Sequence, residues 1–296
     1  MIVNTVALEK GLRIEFNKAF EAMAGGDPYI DLFNALATVI PSTSTEEKYG
    51  WFGDVPAVAE WLGDKKAGVL KDYDFTIKNK DFYTALDIDR DEIADDKLGA
   101  LIPRMQMLAQ AVKVYKGELI ANLLINGTAG LAYDGSAFFA NRASPNDNLL
   151  AGTGVTLATF KADVYAARSA MMKFQSDAGK VLGLRMDTLV VPPELEGVAY
   201  EAVTSTVGVA GDNVANPINK WIKQIIVLPN ATDANDWYGL ASGFPLKPFV
   251  FQDRSPVELV LDDTSVKRNR KLVYSAEMRG NAGYGFFQMA VKTVNA

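Results

Sequence analysis

The chain contains neither cysteine nor histidine in its 296 residues. Without cysteine, disulfides and thiolate chemistry are excluded, and the fold must hold by packing or by association with copies of itself. Without histidine, the usual general base and the commonest transition-metal ligand disappear together, which excludes serine-histidine-aspartate, cysteine-histidine and zinc sites. Long apolar runs are also missing. None approaches the roughly 20 residues of a membrane span, and the opening MIVNTVALEKGLRIEF carries charges where a signal peptide's apolar region would stand. A soluble protein outside the general export route is expected, with no membrane partner. Positive charge is in short supply: 30 basic against 36 acidic residues leave a formal charge of −6, the reverse of what tight phosphate contact needs. What remains is ordinary globular composition, 49% hydrophobic and 22% charged, with length for one large domain or two modest ones.

Periodicity organises that composition. Val6, Leu8, Leu12, Ile14, Phe16, Phe20 and Met23 form a loose helical stripe that stops at Gly25-Gly26-Asp27-Pro28. In DYDFTIKNKDFYTALDIDR, residues 72 to 90, the apolar spacing predicts β-strands turning near Lys78-Asn79-Lys80, so residues 46 to 90 read as an extended hairpin with an irregular tip. The strongest signal follows: Leu101, Met105, Leu108, Val112, Tyr115, Leu119 and Leu123 recur at steps of three and four from Leu98 to Asn126-Gly127, broken only by Gly117. That helix would be about 40 Å long, a spine for other elements. Residues 128 to 154 read as a long loop with an aromatic anchor, Phe138-Phe139, and a second helix spans about 157 to 177. DTLVVPPELEGVAYEAVTS and KQIIVLPN then predict strand, helix, strand, an α/β signature. From Trp237 the chain reads as short strands, LKPFVFQ, VELVL, KLVYSAEM and GFFQMAVKTV, giving an α+β protein of two interleaved subdomains.

Candidate chemistry is sparse. The run Asp87-Ile-Asp89-Arg-Asp91-Glu92-Ile-Ala-Asp95-Asp96 is the densest acidic cluster, but a calcium loop starting at Asp87 would need glycine and glutamate where Glu92 and Leu98 stand. The carboxylates are better placed before and in the first turn of the long helix, where free N–H groups and the helix dipole favour them. No G-x-x-x-x-G-K-[ST] phosphate loop occurs, and GNAGYGFF, residues 280 to 287, reads as a turn and strand start. Lys65 and Lys66 beside Trp61 could bind an anion, though a solvated tip explains them. No catalytic residue, cofactor or metal is assigned.

Several segments in order carry a resemblance: EKYGWFGDVPAVAEWLGD at 47 to 64, NKDFYTALDIDRDEIADDKLGALIPR at 79 to 104, YDGSAFF at 133 to 139, LVVPPELEGVA at 189 to 199 and EMRGNAGYGFFQMA at 277 to 290. Together they resemble the major head subunit (major capsid protein) family of Mu-like bacteriophages, the gpT proteins, over nearly the whole chain. Ala143-Ser144-Pro145 departs from it, since relatives are expected to carry histidine before the proline. The resemblance implies an HK97-like capsid fold. Residues 1–45 would be an N-terminal arm and 46–90 the E-loop hairpin. Residues 91–184 would form a peripheral domain with a spine helix at 96–126, 185–250 the axial domain, and 251–296 strands returning to the peripheral domain. It further implies a non-enzymatic subunit that self-assembles in the bacterial cytoplasm, through hexamers and pentamers, into the icosahedral head of a tailed phage. Its partners would be other copies, scaffold, portal and decoration proteins, with the enclosed DNA held only by weak, non-specific contact. Alternatives of other kinds are a nanocompartment shell of the encapsulin type, separable by its neighbouring genes, and a hydrolase using carboxylates alone, which predicts a cleft and a small oligomer.

One stretch fits no core of its own subunit. In WFGDVPAVAEWLGDKKAG, residues 51 to 68, Gly53, Pro56 and Gly63 break regular structure while Trp51, Phe52, Val58, Trp61 and Leu62 supply side chains of the kind enriched in protein interfaces. These five are the expected inter-subunit contacts of the E-loop. Lys65, Lys66 and Lys71 are available for the covalent cross-linking some capsids use, an idea that denaturing gels showing only monomer would reject.

Overall fold

The computed structural model describes residues 5–22, 26–49, 75–89, 98–177, 179–205, 216–262 and 271–295. The N-terminal stripe forms α1, Thr5–Ala22, which buries Leu12 and Phe16. The Gly-Gly-Asp-Pro turn also starts a second helix, α2, Pro28–Leu36, because Asp27 accepts the Tyr29 N–H at 2.9 Å and Pro28 occupies the first turn, where its missing N–H costs nothing. β1, Ala37–Pro41, follows directly.

The long periodic segment is α3, Leu98–Ile125, 28 residues and about 42 Å at 1.5 Å per residue. Leu101, Met105, Leu108 and Val112 are buried with Leu12 and Phe16 of α1, while Ile120, Ala121 and Leu124 join the central core. Gly117 interrupts the stripe for a tertiary reason: a Cβ there would sit 2.0 Å from the Tyr29 carbonyl oxygen, so α2 crosses α3 at backbone contact.

The expected hairpin over 46–90 is reorganised. β2, Glu46–Lys48, pairs antiparallel with β3, Thr76–Lys78, but β4, Lys80–Asp89, does not fold back on β3. It pairs instead with β10, Lys271–Tyr284, from Lys80↔Gly280 to Asp89↔Lys271. The supposed turn at 78–80 is a passage from one sheet to another. Asn79 holds it by donating from Nδ2 to Ser42 Oγ at 2.8 Å and to the Ser44 carbonyl at 2.9 Å. The helix-terminus account is corrected for Asp87 and Asp89, which lie on a strand with Asp87 facing Lys271 at 3.5 Å, and the first turn of α3 carries no acid. Asp91, Glu92, Asp95 and Asp96 lie outside the described residues.

One sheet has the order β1-β9-β10-β4, with β1 parallel to β9, Phe249–Asp262. β9 is one 14-residue strand, not the two short ones expected. Register shifts separate the pairs Glu277↔Glu258, Arg279↔Ser255 and Gly280↔Asp253, and Pro256 sits at this irregularity, where its missing N–H breaks no regular ladder. The stretch from Gly280 to Tyr284 is likewise the end of β10 and not a turn. A Cβ at Gly280 would lie 2.3 Å from the Gln252 carbonyl oxygen, so this glycine serves strand approach.

The other sheet has the order β5-β11-β8-β6-β7: Leu149–Ala151, Ala290–Val294, Trp237–Leu240, Thr188–Val191 and Gln224–Val227. The expected strand-helix-strand is present, with α5, Glu196–Thr204, and α6, Ile218–Trp221, between the parallel β6 and β7; α4, Leu157–Lys173, precedes them. α4 packs Phe160, Val164, Ala167 and Met171 into the same core as Trp237 and Val291. Residues 251–296 therefore divide, β10 in one sheet and β11 in the other. Between the sheets lies the aromatic anchor: Phe138 and Phe139 are buried, and Phe138 stacks on Phe249 at 5.2 Å and Tyr284 at 4.9 Å. Arg142 organises the loop that carries it, lying 3.6 Å over the Phe287 ring and donating to Asp134, Ala137 O and the buried Asn148 Oδ1.

Candidate functional site

The five expected contact residues, Trp51, Phe52, Val58, Trp61 and Leu62, lie outside the described residues, as do Lys65, Lys66 and Lys71. The structure does show the root from which their segment departs and to which it returns. Tyr49 donates its backbone N–H to Phe75 O at 2.8 Å, and its buried hydroxyl accepts from Gln252 Nε2 at 2.8 Å. Burial pushes the Tyr49 hydroxyl pKa up. Beside it, Glu47 Oε1 accepts the Thr43 N–H at 2.9 Å, the Ser42 hydroxyl at 2.9 Å and the Ser44 N–H at 3.1 Å, and these bonds, the Thr43 N–H foremost, lower the pKa of Glu47. The root of the segment is thus tied down by β9 and by its own polar turn.

The same sheet offers an open face. Along β4, Phe82, Leu86 and Ile88 turn toward α3 and α1, while Asp81, Tyr83, Ala85, Asp87 and Asp89 are exposed. Phe82 meets Tyr115 of α3 edge-on at 5.0 Å, whereas Tyr83 is 79% exposed, a large aromatic without a core. β4 ends the sheet among the described residues, and a concavity lies on each side of it. One, about 510 Å³, runs between β4 and α3; the other, about 430 Å³, lies over β10 and β9, and both include residues 81 to 83 and Met278. The strand alternation Asp81-Tyr83-Ala85-Asp87 against Phe82-Thr84-Leu86-Ile88 is visible in the sequence, and it was the signal that could have identified this face.

Neither concavity assembles catalytic machinery. Glu258 and Glu277 are paired across β9 and β10, and Glu277 accepts the Ser275 hydroxyl at 2.9 Å. Among the described residues no three acidic side chains are placed to hold a metal ion, and no helix is long and apolar enough to cross a membrane. Apolar area, a projecting aromatic and a strand that ends its sheet among the described residues are features of a surface that docks other protein.

Comparison with known proteins gives this surface its setting. The chain is 27% identical over 295 residues to the major capsid protein of Escherichia phage Mu, covering 98% of this chain and 74% of that protein. It is 25% identical over 290 residues to the Mu-like prophage FluMu major head subunit of Haemophilus influenzae, covering 97% and 73%. Its backbone superposes with a TM-score of 0.56 on a chain of the procapsid of bacteriophage JBD30, at 26% identity over 98% of this chain and 76% of that one. The α+β arrangement of helices and sheets is accordingly the HK97-like capsid fold, and its role is structural and not enzymatic. The family model for the Mu-like prophage major head subunit gpT matches residues 6–158, 152–231 and 228–296, so the chain belongs to that family.

Proposed function

We propose that this chain is the major capsid protein of a tailed, Mu-like phage, and that copies of it build the icosahedral head shell that encloses double-stranded DNA. The family match along the chain carries this reading. Self-association is the activity, and the open β4 face together with the anchored root of the 50–74 segment supports it physically. Copies meet in hexamers and pentamers. In this proposal residues 1–45 act as the arm, 46–90 as the E-loop, 91–184 as the peripheral domain and 185–250 as the axial domain, with 251–296 shared as the sheets divide them. Trp51, Phe52, Val58, Trp61 and Leu62 supply the E-loop contacts with an adjacent subunit. Scaffold, portal and decoration proteins are further partners during assembly in the host bacterial cytoplasm. The net charge of −6 suits a wall that holds DNA without gripping it.

Electron microscopy of the purified chain tests the reading: closed icosahedral particles of megadalton mass are expected, and a protein that stays monomeric under all assembly conditions would overturn it. Trp61→Ala is expected to block particle formation while the soluble monomer persists. Loss of the soluble monomer would instead place Trp61 in the subunit's own core.

A further inference from the structure

We infer that Arg168, Arg185, Lys220 and Lys223, at the corner where α4, β6 and α6 meet, form the place where the shell touches the phosphates of the enclosed double-stranded DNA. The inference rests on the capsid reading above and adds the residues that make the contact. Backbone bonds and ring contacts bring the four together. Arg168 donates from Nη1 to Met186 O, and its guanidinium lies 4.7 Å from the Trp221 ring, which Tyr165 meets edge-on at 5.6 Å. The Lys223 N–H donates to Asp187 O at 2.8 Å, which sets Lys220 and Lys223 beside the chain that carries Arg185. Burial first, and the neighbouring Arg185 second, lower the Arg168 pKa.

Elsewhere cations are answered by carboxylates: Lys116 by Asp253, Arg142 by Asp134, Lys271 by Asp87, Arg279 by Asp81 and Lys292 by Asp236. None of the four at this corner makes an ion pair with a described residue, and Arg185, Lys220 and Lys223 are exposed. The nearby acid, Asp187, is buried, and its Oδ1 accepts the Ser242 N–H at 2.8 Å, the Ser242 hydroxyl at 3.0 Å and the Thr188 hydroxyl at 3.2 Å. Glu194 and Glu196 stand beyond the other end of β6. Positive charge is therefore left over here in a chain whose net charge is −6. Its chemistry favours phosphate over protein, because lysine is depleted from protein interfaces while nucleic-acid interfaces are rich in exposed cations. Four such groups on an acidic wall give a weak, salt-sensitive contact that lets DNA move.

Binding of the full chain to a short fluorescent DNA duplex, followed by anisotropy over a range of low salt, tests the assignment. Arg185→Gln/Lys223→Gln should weaken binding roughly tenfold and reduce the slope of log affinity against log salt by about 2. Lys10→Gln/Lys80→Gln removes equal charge at exposed positions on α1 and β4 and should do much less. Equal effects, or an unchanged slope, overturn the inference. Thermal melting checks both variants, and Lys220→Gln/Lys223→Gln replaces the first if that one is unfolded. In DNA-filled heads, a photo-crosslinking amino acid in place of Lys223 should attach the subunit to DNA well above the same group in place of Tyr83. No excess overturns the inference, as does linkage to protein instead of DNA. If the chain forms no closed particle, the capsid reading falls; if filled heads form and position 223 links no DNA, only this contact is wrong.

Discussion

The two larger sheets differ in how they are covered. In β5-β11-β8-β6-β7, strands β6 and β8 are buried throughout, because α4 packs on the sheet and the central aromatic cluster fills the space beside it. In β1-β9-β10-β4, Phe249, Val250, Phe251 and Gln252 are buried in succession, but toward β4 one face rests on α3 and α1 while the other, carrying Asp81, Tyr83, Ala85, Asp87 and Asp89, is exposed. A sheet buried on both sides meets its needs within one chain. A sheet buried on one side can remain soluble if its open face is polar, and this one is largely so, apart from Tyr83 and Val260. The contrast separates a self-sufficient region from one suited to neighbours.

The comparison breaks most directly at Trp237, which is fully buried and lies 5.2 Å from Phe160. Trp237→Ala should cost about 3–5 kcal/mol of monomer stability in chemical denaturation, because the five-stranded region cannot fill such a hole from outside. Gly117→Ala comes next. In an isolated helix the change would gain up to about 1 kcal/mol, but here the new methyl meets the Tyr29 carbonyl, and a net loss of about 1–3 kcal/mol is expected. A gain in melting temperature would mean that α2 can move away.

Alkaline titration sharpens the seam between the regions. Burial raises the Tyr284 pKa to about 12, and its hydroxyl donates to Leu123 O at 3.0 Å. A raised folded-state pKa means that the native state holds this proton more tightly, so its stabilisation is complete below the unfolded value near 10 and is lost as pH rises through about 12. Tyr284→Phe should therefore flatten the fall in stability between those limits, measured by denaturant midpoints. The smallest monomer effect is expected at Tyr83: Tyr83→Ala should stay within about 0.5 kcal/mol of the parent while reducing particle yield. A monomer that unfolds instead would show that the open face is part of the subunit's own core.

Local pattern was sufficient where the controlling contacts are close in sequence. The stripe from Leu101 to Leu123 specifies α3 within a few residues, and the strand-helix-strand from Thr188 to Val227 was legible because propensity, periodicity and the Pro192-Pro193 boundary agree. The glycines misled for the opposite reason. Gly280 reads as a turn residue, yet it lies inside β10 because the neighbouring β9 carbonyl leaves no room for a Cβ. Similarly, Lys78-Asn79-Lys80 reads as a hairpin turn, since nothing nearby announces that β4 will choose β10, almost two hundred residues away, over β3. The proposed contact role of Trp51 and Trp61 rests on the misfit between costly apolar residues and helix- and strand-breaking Gly53, Pro56 and Gly63 in the sequence, while the groove at Tyr83 depends on α3 lying beside β4.

By itself, then, the sequence determined the absence of histidine and cysteine chemistry, the helices with a complete apolar stripe, and the family, because each depends on composition or on patterns within one segment. Tertiary structure alone decided which strands pair and why Gly117 and Gly280 are glycine. Those outcomes depend on the backbone of distant segments arriving at contact distance, and residue type does not encode that distance.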